Sequence, residues 1–146
     1  MTQPGESLFD QRAADWDTPA RIGLSQALTA ALSREIRLAP GRRILDYGAG
    51  TGLASMTFAA MGMQVTAADA SPGMLDTLRS KLANLDPRPD ITPVLLTPDT
   101  VVPLGPFDLV HLSMVLHHIQ DAASLIHNLA RLLAPGGQLA IFDLAP

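Results

Sequence analysis

ILDYGAGTGLASMTFAAMG, residues 44–62, is a short apolar run that closes on three glycines and continues into good helix formers ending at Gly62. Ile44 to Tyr47 reads as a strand, Gly48 to Gly52 as a loop, and Leu53 to Met61 as a helix. The pattern then repeats. Val65 to Ala68 forms a second strand with Asp69 at its end, Ser71 is a helix N-cap, and Pro72 opens a helix running to about Leu85. Upstream, Ile22, Leu24, Leu28, Ala31, Leu32 and Ile36 recur at three- and four-residue spacings, which predicts a helix from Thr18 to Arg37, stopped by Pro40-Gly41.

Downstream, a third strand is expected around Val94 to Leu96 after the proline-rich linker Asp86 to Pro93, and a fourth from Phe107 to Met114. The segment PDTVVPLGPF between them is too proline-broken for a crossover helix. Asp121 to Leu133 reads as a helix, ended by Pro135-Gly136-Gly137 before a fifth strand, Leu139 to Phe142. Alternating strands and helices predict a doubly wound, three-layer α/β sheet, mostly parallel. One domain over residues 1–146 is expected, with 1–40 as an N-terminal cover and helix and 41–146 as the core. The fifth strand lacks an outer neighbour in this sequence, and an uncovered edge invites pairing. Either a homodimer forms through that strand or the chain is a piece of a longer protein.

Composition narrows the function classes. A hydrophobic content of 47% with 16% charged residues suits a globular domain with a real core. The absence of cysteine excludes disulfide frameworks, thiolate metal sites and thiol nucleophiles. Ten Lys and Arg against 14 Asp and Glu leave a net charge of −4, which disfavours nucleic acid as a partner. The one basic cluster, Arg34, Arg37, Arg42 and Arg43, reads as solvated surface, with a small-anion site as the alternative. No targeting segment opens the chain and no run reaches the ~18 apolar residues of a membrane span. A soluble, cytoplasmic protein without membrane contact is therefore expected.

In open parallel sheets, ligands bind beyond the carboxyl ends of the strands, where strand order reverses. Strand one delivers Asp46 followed by Gly48, Gly50 and Gly52; strand two, Asp69; strand three, Asp99; strand four, Ser113 with His117 and His118 beyond it. Dinucleotide folds use G-x-G-x-x-G, but Leu53 stands where the third of those glycines would fall. An aspartate beside the loop would repel a diphosphate and suit a ligand carrying an amine or sulfonium. Asp69 sits where a carboxylate accepts both hydroxyls of a ribose. A plain strand-to-helix turn that binds nothing is the alternative.

ILDYGAGTGLAS and VTAADASPGML resemble the first two motifs of class I S-adenosylmethionine-dependent methyltransferases. FDLVHLSMVLHHIQD and LARLLAPGGQLAIFD resemble the fourth- and fifth-strand motifs of their small-molecule branch, which includes quinone-biosynthesis enzymes. The segment FDQRAADWD is similar to that branch's N-terminal cover. The resemblance runs in order from Phe9 to Asp143 and implies a Rossmann-like methyltransferase fold lacking its last strands. It also implies that Gly48, Gly50 and Gly52 line the methionine moiety and ribose, that Asp46 anchors the amine end, and that Asp69, with Ala70 beside it, holds the ribose hydroxyls. Met74 would pack on the adenine face, Asp99 with Thr100 would meet the adenine edge, and the Ser113 backbone would border the methionine tail. Pro98 stands where the family usually has a glycine.

His117 and His118 are the candidate catalytic residues. One of them is expected either to take a proton from the acceptor or to shape the rim without proton transfer. No metal is expected, since adjacent histidines with Asp121 and His111 lack a third converging ligand. His111, mid-strand, reads as a core histidine and Asp108 as structural. Trp16 and Phe9 either close over the cofactor or the acceptor, or staple the N-terminal segment to the core. Met56, Met61 and Met63 read as core filling. The expected activity is methyl transfer from S-adenosylmethionine to a small-molecule acceptor by in-line displacement. The rivals are a cofactor-binding fragment without turnover and a nicotinamide-dependent oxidoreductase.

Overall fold

The computed structural model describes residues 8–100 and 105–145. In chain order the elements are α1 (Leu8–Arg12), a 3-10 turn (Ala13–Asp15), α2 (Pro19–Glu35), β1 (Arg43–Tyr47), α3 (Leu53–Ala60), β2 (Gln64–Asp69), α4 (Pro72–Ala83), β3 (Ile91–Leu95), β4 (Phe107–Ser113), a second 3-10 turn (Leu116–His118), α5 (Ala122–Ala130) and β5 (Leu133–Phe142). The caps are those the residues dictate. Thr18 accepts from the Arg21 N–H ahead of Pro19, Ser71 from the Met74 N–H ahead of Pro72, and Asp121 from the Ser124 N–H.

The strands form one sheet in the order β3-β2-β1-β4-β5, with every pair parallel. The chain winds outward from β1 to β3, returns to place β4 on the other side of β1, and winds outward again. Strand order therefore reverses between β1 and β4, where Asp46 stands opposite Ala67 on one side and His111 on the other. Alternation divides the core into two layers. Ile44, Val65, Ala67, Leu109 and Ala140 pack with Leu32, Phe58, Leu75, Leu78 and Leu82 of α2, α3 and α4. Leu45, Ala68, Val110 and Leu112 pack with Leu129 of α5 on the opposite face.

The elements depart from the sequence reading in several places. Helix α5 stops at Ala130 rather than Leu133, because the Leu132 carbonyl accepts from the Phe107 N–H at 2.8 Å and Leu133 pairs with Phe107. The residues between Leu133 and Gln138 then bulge, with Gly136 at φ +76°, before the β4·β5 ladder resumes at Leu109 and Gln138. Strand β3 begins at Ile91 and contains Pro93, which an edge strand tolerates. Met61, expected in the core, is 36% exposed. The apolar stripe of α2 is only partly buried, with Leu32 in the core and Leu24 half exposed beside a large cavity at the strand ends. Of the connection between β3 and β4, residues 101–104 lie outside the described residues, as do residues 1–7 of the expected N-terminal cover.

Candidate active site

The cavity, of about 760 Å³, opens at the carboxyl ends of β1, β2 and β4. Its floor is the glycine loop. Gly48 has φ +75° and no room for a Cβ, which would run into the Val115 side chain; Gly50 has φ +59°, and a Cβ there would meet only the Met74 sulfur at 4.0 Å. Both positions require left-handed backbone that glycine adopts without strain, and both present bare main chain to the cavity. Gly52 also has positive φ, but it faces Leu78 of α4 instead of the cavity.

Asp69 ends β2 and lines the same space. Its Oδ2 accepts from the Gly50 N–H and its Oδ1 from the Ser71 N–H, both at 2.8 Å. One carboxylate thus joins the loop after β1 to the start of α4 and keeps lone pairs for a ligand. Burial raises its pKa above the ordinary carboxylate value, the Ser71 and Gly50 amides oppose that rise, and nearby Asp46 adds to it. Tyr47, also on the wall, has its phenol pushed up by burial and by the Asp69 charge.

Asp46 is 3% exposed and already committed. Its Oδ2 accepts from Ser55 Oγ at 2.7 Å, and its Oδ1 lies 3.0 Å from Nδ1 of buried His111. It anchors the floor through side chains of α3 and β4. Among the described residues no cluster of three metal-ligating side chains occurs.

The opposite rim is built from β4, β5 and the N-terminal segment. Met114 sits at φ +58°, a strained conformation for a side-chain-bearing residue, and turns the chain from Ser113 into the 3-10 turn carrying His117 and His118. Asp143, just past β5, receives that turn. Its Oδ1 is 2.7 Å from His117 Nδ1, and its Oδ2 accepts from the Leu116 and His117 N–H groups at 2.7 and 3.3 Å. Burial opposes the charge on Asp143, but these bonds and the Leu144 amide hold its carboxyl below the ordinary value.

Rings continue the rim. His117 and His118 lie 3.9 Å apart, His118 meets Phe9 edge-on at 5.4 Å, Phe9 meets Trp16 at 5.8 Å, and the Arg21 guanidinium lies 3.8 Å over Trp16. Lys81 of α4 ties this cover to the floor, since its Nζ donates to the Thr51 carbonyl at 2.8 Å and pairs with Asp17, which also accepts from Thr51 Oγ1.

Of the residues singled out in the sequence, the structure brings Asp46, Gly48, Gly50, Asp69, Ala70, Met74, Ser113, His117, His118 and Trp16 to one cavity. It does not bring Gly52, Asp99 or Thr100 there. The Thr100 hydroxyl turns back to the Thr97 N–H at 2.7 Å, Asp99 is exposed on that turn, and Leu96, Thr97 and Pro98 form the wall instead. Asp143, Arg21, Asp10 and Asp17 were not singled out. Asp143 follows the last strand, so extending the strand-end rule to β5 finds it; the other three act through folded contacts that no spacing encodes.

A family model described as a methyltransferase domain matches residues 20–145. The chain is 33% identical to a demethylmenaquinone methyltransferase of Clavibacter sepedonicus over 97% of its own length and 59% of that protein. It is 32% identical to a ubiquinone biosynthesis O-methyltransferase of Xanthomonas oryzae pv. oryzae over 98% of its length and 65% of the relative. The chain thus spans about three fifths of the length of these relatives. Among solved structures, an S-adenosylmethionine-dependent methyltransferase from Mesorhizobium loti superposes with a TM-score of 0.65 at 31% identity, covering 77% of this chain and 51% of that one. One from Aquifex aeolicus shares the fold with a TM-score of 0.76 at 21% identity, covering 92% and 72%. With the fold, the glycine floor and the strand-end carboxylates in place, this chain belongs to the methyltransferase-domain family.

Proposed function

We propose that the cavity binds S-adenosylmethionine and that the protein transfers its methyl group to a small-molecule acceptor, with a flat, hydroxylated aromatic ring as the class the rim suits best. The observation that carries this reading is the Asp69 carboxylate, fixed by the Gly50 and Ser71 amides beside bare glycine backbone in one cavity. The residues fit the group. Asp69 accepts ribose hydroxyls, the Gly48 and Gly50 main chain lies against the sugar and methionine tail, and Met74 offers a polarizable surface to the adenine. When bound, S-adenosylmethionine supplies an electrophilic methyl group and S-adenosylhomocysteine remains.

The chain's own residues supply position and proton transfer. A carboxylate only accepts hydrogen bonds, so Asp143 keeps the His117 proton on Nδ1 and leaves Nε2 with a free lone pair. His117 is then the group that takes a proton from an acceptor hydroxyl, and His118, Phe9 and Trp16 hold the acceptor ring and exclude water. The names of the demethylmenaquinone and ubiquinone relatives support an acceptor of this kind. Pairing of two copies through the outer edge of β5, where Ile141 is 37% exposed, belongs to the same proposal, as does a cytoplasmic setting. Sedimentation showing only monomer removes the dimer. No helix among the described residues is long and apolar enough to cross a membrane.

Calorimetric titration with S-adenosylhomocysteine of the wild-type chain and of Asp69→Ala tests the reading. Micromolar binding that weakens about tenfold or more in the variant, near 1.4 kcal/mol, is expected. A folded wild-type chain that does not bind overturns it.

A further inference from the structure

Helix α1 is fastened to the start of α4 through Asp10. Asp10 Oδ1 accepts from Ser71 Oγ at 2.6 Å and from the Gly73 N–H at 2.7 Å, placing a carboxylate at the positive end of a twelve-residue helix. Ser71 is also the residue whose N–H is held by Asp69 Oδ1. The seat is tight. A Cβ at Gly73 would lie 2.8 Å from Asp10 Cα and 3.0 Å from its carbonyl oxygen, so only glycine at this position lets α1 approach.

The neighbouring residue faces the other way. Phe9 lines the cavity and meets the His118 ring edge-on at 5.4 Å with an interplanar angle of 86°, and His118 lies against His117. Both histidines are otherwise on an exposed 3-10 turn, and the structure gives His118 no side-chain hydrogen bond among the described contacts. Among the described residues, Phe9 is the ring of the N-terminal segment that meets His118. A continuous set of contacts therefore runs from the cofactor-side carboxylate Asp69 through Ser71, Asp10 and Phe9 to His118 and His117.

We propose that Asp10 and Phe9 are positioning residues. Docking of α1 on Ser71 and Gly73 sets the orientation of His118 and, through it, the face that His117 presents to the acceptor, so that cofactor site and proton acceptor are assembled together. This rests on the methyltransferase reading and adds to it the side chains that join the two halves of the site. Supporting groups of this kind decide whether a reacting group is held within the fraction of an ångström that in-line chemistry requires.

The test uses the 146-residue chain with S-adenosylhomocysteine as probe and Gly73→Ala, Asp10→Ala and Asp10→Asn as variants. Gly73→Ala expels α1 without altering a charge, and alanine is the better helix former in α4, so loss of fold does not confuse the result. Two signals are read: the imidazole resonances of His117 and His118 by NMR at fixed pH, and the emission of Trp16, the chain's single tryptophan. In Gly73→Ala and Asp10→Ala, the His118 resonances are expected to move toward those of exposed His127, Trp16 emission to move to the red, and affinity for S-adenosylhomocysteine to fall about fivefold. Asp10→Asn keeps an acceptor oxygen and is expected to restore most of each signal. Unchanged His118 resonances in both disruptive variants overturn the proposal, even where affinity falls. If the wild-type chain does not bind S-adenosylhomocysteine, the functional reading fails by itself, and the histidine signals still decide the positioning.

Discussion

Asp143 Oδ1 and His117 Nδ1 lie 2.7 Å apart, joining the end of β5 to the turn after β4. The same carboxylate takes two backbone N–H groups of that turn, so it orients the ring and the main chain that carries it. Replacing Asp143 with Asn keeps an acceptor for the amides but no longer fixes which imidazole nitrogen bears the proton. Methyl transfer to a hydroxylated aromatic acceptor is expected to slow about 10²-fold or more, within the range general-base catalysis supplies. S-adenosylhomocysteine affinity in calorimetry should stay within about twofold. An equal loss in both would show that Asp143 only supports the fold.

Ligand binding should carry the signature of Asp69. Burial raises its folded-state pKa, so on acidification it loses its charge at a higher pH than a carboxyl at the ordinary 3.8. An ionised carboxylate is the acceptor for two hydroxyls, and affinity is present above the raised pKa and lost as pH falls through it. Titrations with S-adenosylhomocysteine at descending pH are expected to weaken before a free aspartate would titrate. In Asp69→Asn the affinity should be lower throughout and flat over the same window. For Asp143 the pKa shift is in the opposite direction, and its contribution to stability is present above 3.8 and lost only as pH falls through the lower folded value.

Removing the Asp46 carboxylate leaves Ser55 Oγ and His111 Nδ1 buried without their partner. An unsatisfied buried polar group costs about 1–3 kcal/mol, so Asp46→Ala should lower stability by about 2 kcal/mol or more, read as a shift of the urea midpoint at unchanged slope. Adding Ser55→Ala should recover part of the loss. Strict additivity would mean the two side chains do not interact.

At Gly48 a steric and a conformational penalty coincide, since a Cβ strikes Val115 and the backbone is at φ +75°. Gly48→Ala is expected to destabilise by about 2–3 kcal/mol, with Val115→Ala relieving the collision and leaving about 1–2 kcal/mol from left-handed backbone. A double variant no better than Gly48→Ala alone would place the whole cost in the backbone.

Much of the fold was readable because its signals are local. Thr18, Ser71 and Asp121 announce helix starts, and the run from Ile44 to Gly52 announces a strand, a tight turn and a helix. Misjudged boundaries fall where a distant partner decides. Leu132 and Leu133 have helical propensity, yet Phe107 draws them into the sheet. The site divides the same way. Asp69 and the glycines are marked by their place at strand ends, whereas Asp10 reaches Ser71 and Gly73 across more than sixty residues of chain. Thr100 shows the converse, since a motif match says nothing of a hydroxyl that turns back on Thr97.

The strand order also sets a schedule for the nascent chain. β1 is the middle strand, and β2, the next strand to be synthesised, completes only one of its sides; its other neighbour, β4, begins at Phe107. Until then Ile44 to Tyr47 present an open ladder, and Asp46 lacks His111, 65 positions away. A ribosome-bound chain ending before β4 therefore carries a sticky, charge-bearing edge, the kind of surface on which folding helpers act and through which incomplete chains aggregate. Leu109 to Leu112 are the residues that close that edge, and His111 among them brings the buried aspartate its partner.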